Sequence, residues 1–227
     1  DIPENLFANC PKVTDFSGTF VGCKNISSIP ANLFSNNSKV TTFSSTFSGC
    51  EKIYTIPSEL FKNNTLVTNF NETFIACKNV LSIPADLFSY CPKVTTFAGV
   101  FKGCISLKSV PEGLFDNNTM VTSFGKWWCG AFQECSNLVS VPNDLFKYNT
   151  EVTNFEFTFM QCKKLKNIPD LSNNTKTTDF GYMFWGCANA EGKVYPIWNF
   201  SSVTGFNKCC VDCVKLSNYS EIPASWK

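Results

Sequence analysis

Apolar residues recur along this chain in a fixed 27-residue frame, not with the period of one long helix or strand. A proline preceded by an apolar residue stands at positions 3, 30, 57, 84, 111, 142, 169, 196 and 223, and the spacing of 27 is broken once, by 31, between Pro111 and Pro142. The unit at residues 30–56 reads Pro-Ala-Asn-Leu-Phe, a polar turn, Lys39-Val40-Thr41-Thr42-Phe43, then Phe47, Gly49-Cys50, Ile53 and Ile56. Self-similarity at this period means that one unit is stacked repeatedly and that no unit closes a core alone. The expected fold is a repeat solenoid of about eight 27-residue coils, one domain over residues 1–227. Both ends fall inside a unit, so a segment of a longer chain is expected.

Laid along the frame, the apolar residues form columns. One phenylalanine column runs Phe7, Phe34, Phe61, Phe88, Phe115, Phe146 and Phe200; a second runs from Phe16 through Phe43 and Phe70 to Phe206; a third runs from Phe20 through Phe47 and Phe74 to Phe184. Only Phe157, of 23 phenylalanines, is out of phase. Rings phased in this way read as a continuous interior. Val-Thr-x-Phe recurs in seven units, with Thr177-Thr178-Asp179-Phe180 as the variant, and predicts one short parallel strand per coil. A second extended piece leads into each proline, which ends it. The Pro-x-x-Leu-Phe segment predicts a short helical turn, and Gly49 with its equivalents offers a left-handed residue for another.

Register breaks mark the variable loops. Between Phe124 and Phe132 the usual spacing of four becomes eight, adding a turn that carries Trp127, Trp128 and Cys129. The seventh unit loses its Leu-Phe pair and regains the length at Ala188–Gly192, and the eighth has Cys210 in place of its third Phe.

The recurring Phe-x-x-Cys-x-x-Leu-x-x-Ile-Pro with Val-Thr-x-Phe resembles the BspA-like leucine-rich repeats of bacterial and protozoan surface proteins. The last third, with Thr178-Asp179-Phe180-Gly181-Tyr182-Met183-Phe184-Trp185-Gly186-Cys187, is similar to repeats of mycoplasma-type surface lipoproteins. The resemblance covers essentially the whole chain. It implies a right-handed leucine-rich-repeat-like stack, an extracellular or cell-surface location, and adhesion or host interaction. The 27-residue unit is longer than in those repeats, and Phe stands where many of them have Leu or Ile.

Charge and chemistry narrow the function classes. Nineteen Lys balance 18 Asp and Glu, with no Arg and no His, so the forked donor of phosphate and guanine recognition and the group titrating near neutrality are both missing. Nucleic-acid binding is not expected. No apolar run approaches the roughly 20 residues that span a bilayer. No phosphate loop, nucleophile set or repeated carboxylate pair is present, and the acidic residues look scattered over loop phases; no enzyme activity, cofactor or metal site is expected.

Eight of the 13 cysteines share one phase, Cys23, Cys50, Cys77, Cys104, Cys135, Cys162, Cys187 and Cys213, and are expected as a reduced, buried ladder. Cys10 and Cys91 share another phase three units apart, too far to bridge. Cys129, on the insertion, is the candidate for a bridged or reactive thiol.

Three sets of residues are candidate sites. Asn36, Asn63, Asn117 and Asn173 begin Asn-Asn-x turns that fit the N-glycosylation pattern, a role open only to a eukaryotic secreted chain; the alternative is a turn whose amides bond the local backbone. Thr14, Thr41, Thr68, Thr95, Thr122, Thr153, Thr178 and Thr204 follow the core Val position and are expected as an exposed hydroxyl row, either a solvated strand or a binding face. Trp127 and Trp128 are the local hot-spot candidates, exposed or packed under their own loop. With the location and adhesive role that the resemblance implies, these predict a non-catalytic extracellular recognition or adhesion module whose partner is a host or neighbouring-cell protein or glycan. The alternative is a structural stacking segment of a stalk or fibre, with adjacent copies of itself as partner.

Overall fold

The computed structural model describes residues 1–227. Successive coils are joined by a continuous parallel ladder through Asp15, Thr42, Asn69, Thr96, Ser123, Asn154, Asp179 and Gly205, one residue from each coil. A second, broken ladder precedes the proline, pairing Thr55 with Ser82, Ser109 with Ser140, and Asn167 with Glu191. The expected strands thus contract to single-residue bridges.

The backbone bonding after each bridge shows why. Phe43, Ser45, Phe47 and Gly49 donate their N–H groups to Asn69, Asn71, Thr73 and Ile75 of the next coil, at 2.8 to 3.0 Å. The alternate residues Thr46, Ser48 and Cys50 donate back to Phe43, Ser45 and Phe47 within their own coil. Such alternation turns the chain continuously and requires left-handed residues, at Ser45 (φ 55°) and Gly49 (φ 69°) here. Non-glycine residues fill equivalent positions at Glu72, Ala76, Phe157, Gln161 and Tyr182.

The expected helical turns are also different. Leu33 bonds Pro30, Ser35 bonds Asn32 and Asn37 bonds Phe34, a run of separate three-residue turns that never becomes an α-helix. Helical geometry is confined to single 3-10 turns at Ile197–Asn199, Tyr219–Glu221 and Ala224–Trp226.

The phenylalanine columns form the core. Phe43 stacks on Phe70 (5.8 Å, 10°) and Phe47 on Phe74 (5.5 Å, 4°), while Phe34 meets Phe43 at a tilt (4.6 Å, 54°), so each ring touches both its own column and the next. At the C-terminal side Trp226 stacks on Phe206 (5.2 Å, 12°) and covers the column there.

Buried polar ladders tie the coils together. In five coils the asparagine that closes the turn after the proline is enclosed and bonds the preceding coil: Asn118 Nδ2 donates to Phe88 O (3.1 Å) and Cys91 O (2.9 Å), and Asn37, Asn64, Asn149 and Asn174 repeat the pattern. The expected local turn bonding is therefore replaced by bonding to the neighbouring coil. Cys91 occupies the same column, with its thiol 3.8 Å from Phe61 O and 3.5 Å from Asn64 O.

All thirteen cysteines are unpaired. In the main cysteine column each thiol from Cys50 onward is buried and donates to a phenylalanine carbonyl of the preceding coil, as Cys104 does to Phe74 O at 3.3 Å. Cys23, in the first coil, is exposed. Burial pushes the Cys50 thiol up to about 11 and those of Cys91 and Cys135 up to about 12.

Candidate functional site

The insertion between Phe124 and Phe132 folds as a small antiparallel hairpin, β1 (Gly125–Lys126) and β2 (Cys129–Gly130), with Trp127 and Trp128 at its tip. Both tip residues have positive φ, 54° and 69°, as a two-residue type I′ turn demands. That turn ordinarily takes Asn-Gly; two tryptophans held there are strained, and such strain concentrates at functional sites.

The hairpin is anchored at its base. A Cβ at Gly125 would collide with Glu156 O, and one at Gly130 with Phe157 O, so glycine alone lets the backbone of the next coil pass this closely. Lys102 Nζ donates to Trp128 O at 3.1 Å. The Cys129 thiol donates to Glu72 Oε1 at 3.4 Å. Burial raises that thiol's pKa, the Glu72 and Glu134 charges add to the rise, and Lys102 opposes it. The expectation of a bridged or activated Cys129 is thereby corrected: its thiol is unpaired and held protonated by its surroundings.

Both tryptophans face solvent, Trp127 at 77% and Trp128 at 69% exposure. From Trp128 an aromatic ridge crosses three coils. Trp128 lies 5.3 Å from Phe157, Phe157 stacks on Tyr182 at 5.0 Å and 12°, and Tyr182 meets Trp185 at 5.6 Å. Phe157, the one phenylalanine outside the core columns, is 2% exposed because its neighbours on the ridge cover it. Phe157 and Tyr182 sit at the left-handed position held by Gly18, Ser45, Glu72 and Gly99 in the first four coils.

Polar groups border these rings. Lys126 Nζ lies 5.7 Å from the Trp127 ring centre and Lys208 Nζ 5.9 Å from that of Trp185. Asn207 Nδ2 donates to the Tyr182 hydroxyl at 3.1 Å. Half-buried Glu156 has its carboxyl pushed up first by burial and then by the charge of Asp179. Rigid aromatic faces rimmed by donors and carboxylates suit a partner with apolar faces and hydroxyl or amide edges.

The other candidate sets lie elsewhere. The threonine row is exposed, with Thr95 half-buried. Its hydroxyls, however, are committed to the fold: from Thr41 to Thr204 each Oγ1 donates to the carbonyl of the preceding threonine, at 3.0 to 3.4 Å. Only the oxygen lone pairs remain for a ligand, which weakens the row as a recognition surface. Asn36, Asn63, Asn117 and Asn173 are exposed; the first three donate to a backbone carbonyl of the preceding coil. Phe157, Tyr182 and Trp185 are not among the residues that the sequence pattern singles out as sites, although Phe157 stands out of phase in it.

The fold and this ridge define a repeat solenoid that carries one built aromatic surface. The sequence model of the family described as "Mycoplasma protein of unknown function, DUF285" matches residues 7–113 and 128–222, and the chain belongs to that family. The unmatched stretch between the two segments ends at Trp127, the first residue of the hairpin tip. No curated protein matches the chain.

Among solved structures, a leucine-rich-repeat protein of T. pallidum is 18% identical, with 66% of this chain and 69% of that one covered and a TM-score of 0.38. A leucine-rich-repeat protein of Leptospira interrogans is 11% identical, covering 87% and 49%, with a TM-score of 0.43. A chain of the LRIM1/APL1C complex is 17% identical, covering 66% and 24%, with a TM-score of 0.40. The chain spans from 24% to 36% of the length of the first structures it matches. No helix is long and apolar enough to cross a membrane.

Proposed function

We propose that the chain is a non-catalytic recognition module, displayed extracellularly or at a cell surface, that binds a protein or glycan partner through the aromatic ridge. The surface location and the adhesive role rest on the resemblance to BspA-like repeats. The choice of ridge rests on one observation: two strained tryptophans are held in solvent at the tip of an anchored hairpin. Exposed Trp on a rigid support contributes large contact area at low entropy cost. The threonine row is the lesser candidate because its donors are spent internally. End-to-end stacking on the C-terminal side would have to displace Trp226 from Phe206.

The test is binding of the labelled protein to cultured cells and to a panel of immobilised oligosaccharides. The Trp127→Asn and Trp185→Ala variants are predicted to lose binding and Thr68→Val to keep it. Periodate-treated and protease-treated cells separate a glycan partner from a protein one. Retention of full binding by both ridge variants would contradict the assignment.

A further inference from the structure

The charges that look scattered along the sequence are sorted by the coil into two faces meeting at the proline edge. Between Cys23 and Pro196, the Cys-to-Pro segments of seven coils hold eight lysines, all exposed, and only two acids, Glu51 and Glu191. Glu51 is itself engaged by Lys24 at 3.2 Å and Lys78 at 3.3 Å, which hold its carboxyl below the usual carboxylate range. Between Pro3 and Asn174, the segments from each proline to the asparagine ladder hold seven acids and only two lysines, Lys62 and Lys147. Six of those acids are exposed and Asp86 is half-buried. Asp116 has its carboxyl raised, by burial first and then by the charge of Asp144 in the next coil, with Lys147 opposing the rise.

Both faces are written on the same lattice. Lysines recur in six of the seven Cys-to-Pro segments and acids in six of the seven proline-to-ladder segments, the Cys135–Pro142 and Pro30–Asn37 segments holding none, so each set is spaced along the stack in multiples of the coil rise, about 4.8 Å in a parallel ladder. Two copies laid side by side therefore bring several opposite charges into register at once. An isolated exposed ion pair contributes little, and a periodic set matched along two rigid bodies sums many such contacts. Apolar side chains lie among the charges on each face: Tyr54 and Leu81 on the basic one, 49% and 52% exposed, and Tyr148 on the acidic one, 47% exposed.

We propose that the basic face of one copy docks laterally on the acidic face of a second copy, through a heterologous interface that leaves both aromatic ridges outside it. This association is independent of the ridge and distinct from end-to-end stacking of coils.

Sedimentation velocity of the full chain, at protein concentrations up to about 0.1 mM, tests it. At about 0.01 M salt, where the Debye length is about 30 Å, larger species growing with concentration are expected; at about 1 M salt, where it is about 3 Å, only monomer. The charge-reversed variants Lys163→Glu/Lys166→Glu/Lys193→Glu and Glu112→Lys/Asp116→Lys/Asp144→Lys should each be monomeric at low salt. An equimolar mixture of the two should associate again, which misfolded chains would not do. Circular dichroism confirms the fold of each variant. A wild-type chain that stays monomeric at low salt overturns the proposal, and its capture by anionic vesicles or a polyanion resin would assign the basic face to such a partner instead. Association unaffected by salt or charge reversal also overturns it, as does failure of two folded variants to associate when mixed.

Discussion

Trp128 covers Phe157 at 5.3 Å across a coil boundary, with both residues in the left-handed backbone region, φ 69° and 60°. Neither conformation suits a bulky L-residue, yet the fold holds the two together and leaves Phe157 2% exposed. The contact joins the inserted hairpin to the regular turn of the next coil and continues through Tyr182 to Trp185. The ridge is thereby part of the solenoid and not a loose appendage, which is what a preorganised recognition surface requires.

Strain at the hairpin tip makes stability and binding separable. Trp127→Asn places a residue tolerant of positive φ at the first turn position and leaves the Trp128 cover on Phe157 intact. It should raise the unfolding free energy by about 0.5–1 kcal/mol while abolishing binding. Urea denaturation read beside the cell-binding assay checks both. Unchanged or lowered stability would show that the tip is not strained.

The asparagine ladder should dominate stability. Asn118→Leu, nearly equal in shape, strips Phe88 O and Cys91 O of their donor and should cost about 2–5 kcal/mol. Cys91→Asn should do the opposite, because its thiol meets Phe61 O and Asn64 O only at 3.8 and 3.5 Å, where an amide would donate to both. A gain of about 1 kcal/mol is expected by the same urea measurement.

The buried thiols set an alkaline limit. Cys91 and Cys135 are pushed up to about 12 in the folded chain, whereas an unfolded thiol titrates near 8.5. Above that pH the unfolded state releases protons that the folded state keeps, so stability falls as pH rises through the unfolded value towards the folded one. Each such thiol contributes a slope of about 1.4 kcal/mol per pH unit. Denaturant midpoints under reducing conditions should therefore drop steeply between about pH 9 and 11, and the drop should shrink in Cys91→Ala. A flat profile would mean that these thiols titrate normally.

Much of the fold could be read from residue spacing, because a solenoid core places one side chain per coil in each column. The Phe43 and Phe47 columns and the Cys50 ladder follow directly from a 27-residue register. Trp127 and Trp128 emerged because they break it. The rest depends on what a neighbouring coil supplies. Asn118 looks like a local turn residue until the Phe88 carbonyl, 30 residues earlier, comes into place. Tyr182 occupies a position where other coils have Gly, Ser, Glu, Phe or Lys, so its sequence context is that of a variable loop. Lysines and acids reveal their separate faces only when the coil closes and the proline edge divides them.

The proposed recognition surface is the hairpin with its ridge, set on an otherwise regular solenoid. Deleting Lys126 to Cys129 leaves Phe124-Gly125-Gly130-Ala131-Phe132, which restores the spacing of four found between the same two Phe columns in the other coils. Binding of this deletion variant to the cells and oligosaccharides that retain the parent chain is the most direct measurement. The expected result is a variant with the parent's circular dichroism spectrum and a cooperative unfolding transition but no binding. Parent-level binding by the folded deletion variant would contradict the claim.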